Sequence, residues 1–220
     1  MARENVKVQK STIIKDAFIL FVITMVAGFA LGLVYDVTLP AIQERRLQAK
    51  LDAYKAVFSD AIDFKEDESL NQLIPEAPAK VFEAKGLSNI VIDEIRVATD
   101  GSGNKLGYVV MVTTGEGYGG AITVLVGYTM DGTVNGIEIL TINETAGLGA
   151  KAAEKSFKDQ YANKKVSEFI YTKTGAASEN EIDAISGATI TTSAVTGAVN
   201  AGIAFITDLV DTTIGGGQNE

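Results

Sequence analysis

The chain has 220 residues, 46% of them hydrophobic, and a formal charge of −9. That is enough apolar material for a packed domain, and the acidic balance argues against a nucleic-acid reader, which needs a basic face to displace counterions. There is no Cys, His or Trp, which excludes iron–sulfur ligation, His- or Cys-ligated haem, an ordinary zinc centre and Ser–His or Cys–His nucleophiles, so any redox chemistry must come from an organic cofactor. Disulfides are excluded too, so cysteine usage says nothing about compartment.

Residues 1–16 hold Arg3, Lys7, Lys10 and Lys15 against Glu4 and Asp16, a basic start to an otherwise acidic chain. Residues 17–35, "AFILFVITMVAGFALGLVY", carry no charge. As a helix this run reaches roughly 28 Å, close to the ~30 Å hydrocarbon thickness of a bilayer. A cleaved signal has a shorter apolar run followed by small residues. Here "AGFALG" lies inside the run, and the segment is expected to be an uncleaved single span; a buried core helix is the remaining reading. The basic flank places the N-terminus in the cytoplasm and the body outside.

After the span, Pro40 suits a helix first turn, and Ile42, Leu47, Leu51, Tyr54 and Phe58 recur at helical spacing, predicting a stalk helix within 36–62. Residues 63–80, with "KEDES" and two prolines, read as an exposed loop, and Lys85–Gly86 as a turn. The runs "IVIDEIRVAT", "KLGYVVMVTT", "GAITVLVGYT" and "VNGIEILTI" predict strands, the last two joined by an Asp-Gly hairpin at "MDGT". A helix is expected over 149–161 and a longer one over 192–211, the latter with Val195, Val199, Ile203, Ile206 and Val210 at helical spacing. "GGGQNE", residues 215–220, reads as a tail. The fold class is α+β, an antiparallel sheet with packed helices in residues 63–214, following one transmembrane helix.

Three glycine-containing stretches are candidate binding sites. In 113–122, glycines around Tyr118 would let backbone at Gly119 and Gly120 approach a planar ligand while the tyrosine stacks; a plain connection between strands is the alternative. In 143–151, "NETAGLGAK" follows a strand and opens a helix, so its amides could face an anion, or merely cap that helix. It lacks the third glycine of a dinucleotide fingerprint and the ending of a phosphate-binding P-loop. In 183–195, "DAISGATITTSAV", one of Thr191, Thr192 or Ser193 would suffice as a cap, which leaves the other hydroxyls and Asp183 unexplained. A hydroxyl beside a helix N-terminus suits a phosphoester, stabilised by the dipole and free amides.

"DAISGAT" resembles the flavinylation motif D-x-x-[ST]-G-A-[ST] of FMN-binding domains, whose last residue carries FMN through a phosphoester bond; here that residue is Thr189. With one span, "GYGG" and "ETAGLGAK" preceding it in order, nearly the whole chain is similar to the G subunit of Rnf-type ion-translocating ferredoxin:NAD+ oxidoreductases. Ala146 stands where the family usually has Pro, and Ala184 where it often has Gly. The C subunit of the sodium-translocating NADH:quinone oxidoreductase shares the acceptor and the E-T-x-G-L-G element, whereas "GYGG" and the compact length favour the Rnf-type G subunit.

The resemblance implies an electron-transfer subunit in a bacterial or archaeal cell membrane, carrying covalent FMN and relaying electrons between neighbouring subunits, with Na+ or H+ movement coupled by the complex. It also implies a flavin transferase that uses FAD and Mg2+ during maturation. Around Thr189 it brings in Ser186, Gly187, Ala188, Thr191 and Thr192. Tyr118, Gly119 and Gly120 become candidate ring contacts, and Glu144, Thr145, Leu148 and Gly149 candidate borders of the ribityl chain or ring edge. Lys151 is either a partner for flavin charge or a solvated lysine, and Asp183 either assists attachment or orients the loop. No metal ligand and no catalytic residue is assigned. A stand-alone anchored flavin carrier and an anchored scaffold domain without flavin are the competing expectations.

Overall fold

The computed structural model describes residues 10–77 and 81–210. The expected tail, the last residue of the 192–211 helix and residues 1–9 lie outside them. The chain divides into two compact units, residues 1–48 and 49–220. The first is built on helix α1, Lys10–Val57, whose residues from 49 onward belong to the second unit. A separate stalk starting near Pro40 is not found, since Pro40 lies inside α1. Proline removes one backbone bond and presses on the preceding turn. In that turn the Thr38 hydroxyl donates to the Val34 and Tyr35 carbonyls at 2.8 and 3.2 Å, and good helix formers continue on the far side. Helix α1 is long and apolar enough to cross a membrane, and no residue of its most apolar window is buried.

The second unit is organised by a five-stranded antiparallel meander in chain order. Its strands are β1 (Asp63–Glu66), β2 (Ile90–Thr99), β3 (Lys105–Thr114), β4 (Ile122–Thr129) and β5 (Val134–Thr141). The β4–β5 turn forms at "MDGT" as expected, with Asp131 accepting from the hydroxyls of Thr129 and Thr133. The central strands read as near-continuous apolar runs because both faces of the sheet are covered. Along β3 and β4, Val110, Val112, Val124 and Val126 face one core; Val109 and Leu125 face the other.

The first core is closed by helix α4, Thr189–Phe205, through Val195, Val199 and Ile203. This helix also passes the length and composition test for a membrane span, but 72% of its window is buried, which marks a core helix. The second core holds Ala53, Tyr54 and Val57 from the end of α1, together with Phe58. The Asn135 side-chain amide donates to the Val57 carbonyl and closes that helix end. Beside it, Glu94 of β2 accepts from Tyr54 at 2.9 Å and pairs with both Lys50 and Arg96.

Three other expectations are corrected. Residues 63–80 are not one exposed loop: β1 pairs with β2, a short helix α2 (Glu68–Asn71) follows, and Leu70 and Ala77 are buried. Residues 149–161 are not one helix. A 3-10 turn (Gly149–Ala153), a single α-turn α3 (Lys155–Lys158) and a second 3-10 turn (Asp159–Tyr161) replace it, because Glu154 is extended. The last helix begins at Thr189 rather than at 192 and ends in a π-turn, Ile206–Val210. A parallel pair that the sequence did not suggest, β6 (Ile170–Thr172) and β7 (Glu181–Asp183), lies beside α4.

Phe58→Ala empties a well-packed site that is 4% exposed, so it is expected to lower stability by about 3–5 kcal/mol in denaturant unfolding. Burial pushes the Glu94 carboxyl up, but the hydrogen bonds from Lys50, Arg96 and Tyr54 outweigh it and hold the carboxyl below its ordinary value. A depressed carboxyl stabilises the fold above its unfolded value of about 4.3 and loses that contribution as pH falls through the folded value. Urea unfolding in acid is therefore expected to show a shallower loss of stability with falling pH in Glu94→Gln than in the wild type.

Candidate functional site

Three of the fold's connections converge on one cleft of about 540 Å³, within the usual range for small-molecule sites. Tyr118 comes from the β3–β4 connection; Glu144, Thr145, Leu148 and Gly149 follow β5; Gly187 to Thr191 open α4.

The first two connections are tied together by Glu144, whose Oε1 accepts the Gly119 amide at 3.2 Å. They also touch directly, since a β-carbon on Gly119 would lie 2.1 Å from the Asn143 carbonyl oxygen. The second and third meet at Gly149. A β-carbon there would lie 2.5 Å from Thr191 Oγ1 and 2.7 Å from Glu144 Oε2, so any larger residue must push those side chains aside.

The start of α4 departs from the capping expected of Thr191, Thr192 or Ser193. The N-cap is Ala188, and no side chain caps the helix. Thr192 is fully buried, its Oγ1 accepting from the Ile185 amide at 3.1 Å and donating to the Ala188 carbonyl at 3.0 Å. Thr191 is 1% exposed, whereas Thr189 is half-buried in the cleft wall. The helix therefore presents first-turn amides and the positive end of its dipole without a side-chain acceptor, next to the Thr189 hydroxyl.

Of the residues singled out from sequence, Tyr118, Glu144, Thr145, Leu148, Gly149, Gly187, Ala188, Thr189 and Thr191 line the cleft. Gly119, Gly120 and Ser186 are exposed and outside the lining, Gly119 being joined to the wall through its bond to Glu144. Lys151 is likewise exposed and outside it, in the 3-10 turn. Asp183 ends β7 outside the lining. Its carboxylate accepts the Ala176 amide, and its own amide donates to Gln160 Oε1 at 2.7 Å. Those bonds tie the end of β7 to the β6–β7 connection and to Gln160. Ile190 was missed by sequence reasoning: it is 54% exposed on the first turn of α4 and forms part of the wall. Its position off the Val195–Val199–Ile203 stripe was the available signal.

Tyr118, Leu148 and Ile190 are 73%, 43% and 54% exposed, so the cleft has an apolar rim and, deeper, a helix N-terminus. An apolar planar group on a phosphate tail fits that pairing.

The FMN-binding domain family matches residues 117–204, a span that contains every residue of the cleft wall. The G subunit of the Na(+)-translocating ferredoxin:NAD(+) oxidoreductase complex of Acetobacterium woodii is 36% identical over 91% of this chain and 95% of its own length. The G subunit of the proton-translocating ferredoxin:NAD(+) oxidoreductase complex of Clostridium ljungdahlii is 30% identical over 88% and 95%. A solved structure of the Na(+)-translocating NADH-quinone reductase C subunit from Parabacteroides distasonis is 23% identical, covering 59% of this chain and 69% of that one, with a TM-score of 0.43. The class is thus an FMN-binding domain behind a long apolar N-terminal helix. The chain belongs to the G-subunit family of ion-translocating ferredoxin:NAD+ oxidoreductase complexes.

Gly149→Ala forces the Glu144 and Thr191 side chains apart. It is expected to cost about 1–3 kcal/mol in stability, as overpacking does, and to lower the flavin content of purified protein, read from visible absorbance per chain.

Proposed function

We propose that this chain is the flavin-carrying electron-transfer subunit of a membrane-bound, ion-translocating oxidoreductase of the ferredoxin:NAD+ type, with FMN joined to Thr189 by a phosphoester. The observation that carries the reading is the position of Thr189: a hydroxyl in the cleft wall at the uncapped start of α4, inside the region matched by the FMN-binding family. When bound, FMN supplies the electron-accepting and electron-donating chemistry that a chain without Cys or His lacks.

The chain's own residues divide the work of holding it. First-turn amides of α4 and the helix dipole stabilise the phosphate charge. Tyr118, Leu148 and Ile190 cover apolar ring surface and exclude water from it. Glu144 and Gly149 hold together the loops that carry Tyr118 and Leu148 and their meeting with α4. Of the neighbouring threonines, Thr192 is buried and already engaged, which favours Thr189 as the acceptor. A neutral hydroxyl is a weak nucleophile, so attachment is assigned to a separate flavin transferase.

The apolar part of α1 is the membrane anchor, a single pass through lipid, with the basic residues before it in the cytoplasm and the flavin domain outside. One helix cannot enclose an ion path, so translocation belongs to partner subunits and this chain relays electrons among them.

Intact mass tests the attachment. Co-expressed with a flavin transferase, the protein is expected to gain one FMN less one water and to fluoresce as a band in a denaturing gel. Thr189→Val is expected to lose both, and Thr189→Ser to keep both. A flavin adduct surviving in Thr189→Val, or mapped by peptide mass spectrometry to Thr191 or Thr192, overturns the acceptor. A wild type without any adduct after co-expression overturns the flavin reading.

A further inference from the structure

Glu144 carries a negative charge that its structural bond does not require. Every other residue of the cleft wall is neutral. Glu144 is partly exposed as a residue, and none of the ion pairs among the described residues includes it. Its Oε1 receives the Gly119 amide, while its Oε2 lies at the close approach to Gly149. A neutral amide oxygen at Oε1 would accept the same hydrogen bond, so the tie between the two loops accounts for the side chain's length and its acceptor but does not call for an acidic group. As the one acidic residue of the wall, Glu144 is placed to act on what the cleft holds.

Resting on the flavin reading above, we propose that Glu144 is a positioning and tuning residue whose carboxylate holds the reduction potential of the bound flavin low. Two-electron reduction with uptake of one proton from solvent leaves one additional negative charge on the ring. A ring held in a cleft of about 540 Å³ whose wall includes Glu144 would carry that charge within roughly 10 Å of the carboxylate, about one Debye length, where repulsion is not fully screened. Glu144 thereby disfavours the reduced form and makes the flavin a stronger donor to the next carrier.

The test is a potentiometric titration of the flavin-loaded full chain in detergent, with Glu144→Gln compared against wild type and against Glu154→Gln. Glu154 is exposed and outside the cleft wall, so its variant makes the same change in net charge without touching the site. Glu144→Gln keeps the acceptor for Gly119 and is expected to load flavin while its midpoint potential rises; Glu154→Gln is expected to match wild type. Equal midpoints in wild type and Glu144→Gln, or equal rises in both variants, overturn this inference and leave the flavin assignment standing. A wild type with no flavin to titrate overturns both.

Discussion

The packing of α4 against the sheet is the constraint on which the rest of the structure depends. Val195, Val199 and Ile203 are essentially inaccessible beneath the strands, and polar groups pin the same helix from the side. The Tyr161 hydroxyl meets Thr196 at 2.8 Å, and Asn200 exchanges two hydrogen bonds with the backbone of Phe169 at 2.8 and 2.9 Å. Buried apolar area supplies the energy; the polar pairs select the axial position, because sliding the helix would leave them unsatisfied in the core. With the helix held along its length, its first turn has one available place. That place puts Thr189 in the cleft wall and its uncapped amides toward the cleft.

The sheet, in turn, is held from both sides. Residues at the end of α1 and Phe58 cover the face opposite α4, and Glu94 brings Lys50, Tyr54 and Arg96 to one carboxylate at its margin. Part of what looks like a connector in sequence is therefore domain core. The loops of the cleft, by contrast, contribute few apolar side chains to either core. They are kept in place by backbone proximity at Gly119 and Gly149 and by the reach of Glu144. Rigid layers below and glycine-spaced loops above produce a site whose wall can come close to a flat ligand without collapsing.

Much of this was legible in the chain. Near-continuous apolar runs marked strands covered on both faces, and the Asp-Gly pair marked the β4–β5 hairpin. The glycine stretches and the hydroxyl cluster marked the parts of the cleft, although not that they meet. Other elements were hidden for identifiable reasons. Strand β1 is a polar four-residue edge strand, "DFKE", with no apolar alternation to betray it. The 149–161 segment has helical composition, but extended Glu154 interrupts it. The run from Thr191 to Ser193 looks like a cap until Thr192 is seen turned back to Ala188 and Ile185. Helical apolar spacing continued through Pro40 while the proline itself suggested a start, and the helix continues.

By itself, then, the sequence determined the chemical inventory: no thiol or imidazole, one long apolar segment, an α+β body, and a threonine in a flavinylation-like motif. Those are properties of composition and local spacing. Only the tertiary structure decided that Thr192 is buried while Thr189 and Thr191 line the cleft, that the α4 N-terminus is left without a side-chain cap, and that Glu144 lies in the wall outside the described ion pairs. The wall itself depends on residues far apart in the chain, Gly119 with Glu144 and Gly149 with Thr191, being brought together by the packing of α4 on the sheet, and no local pattern encodes that.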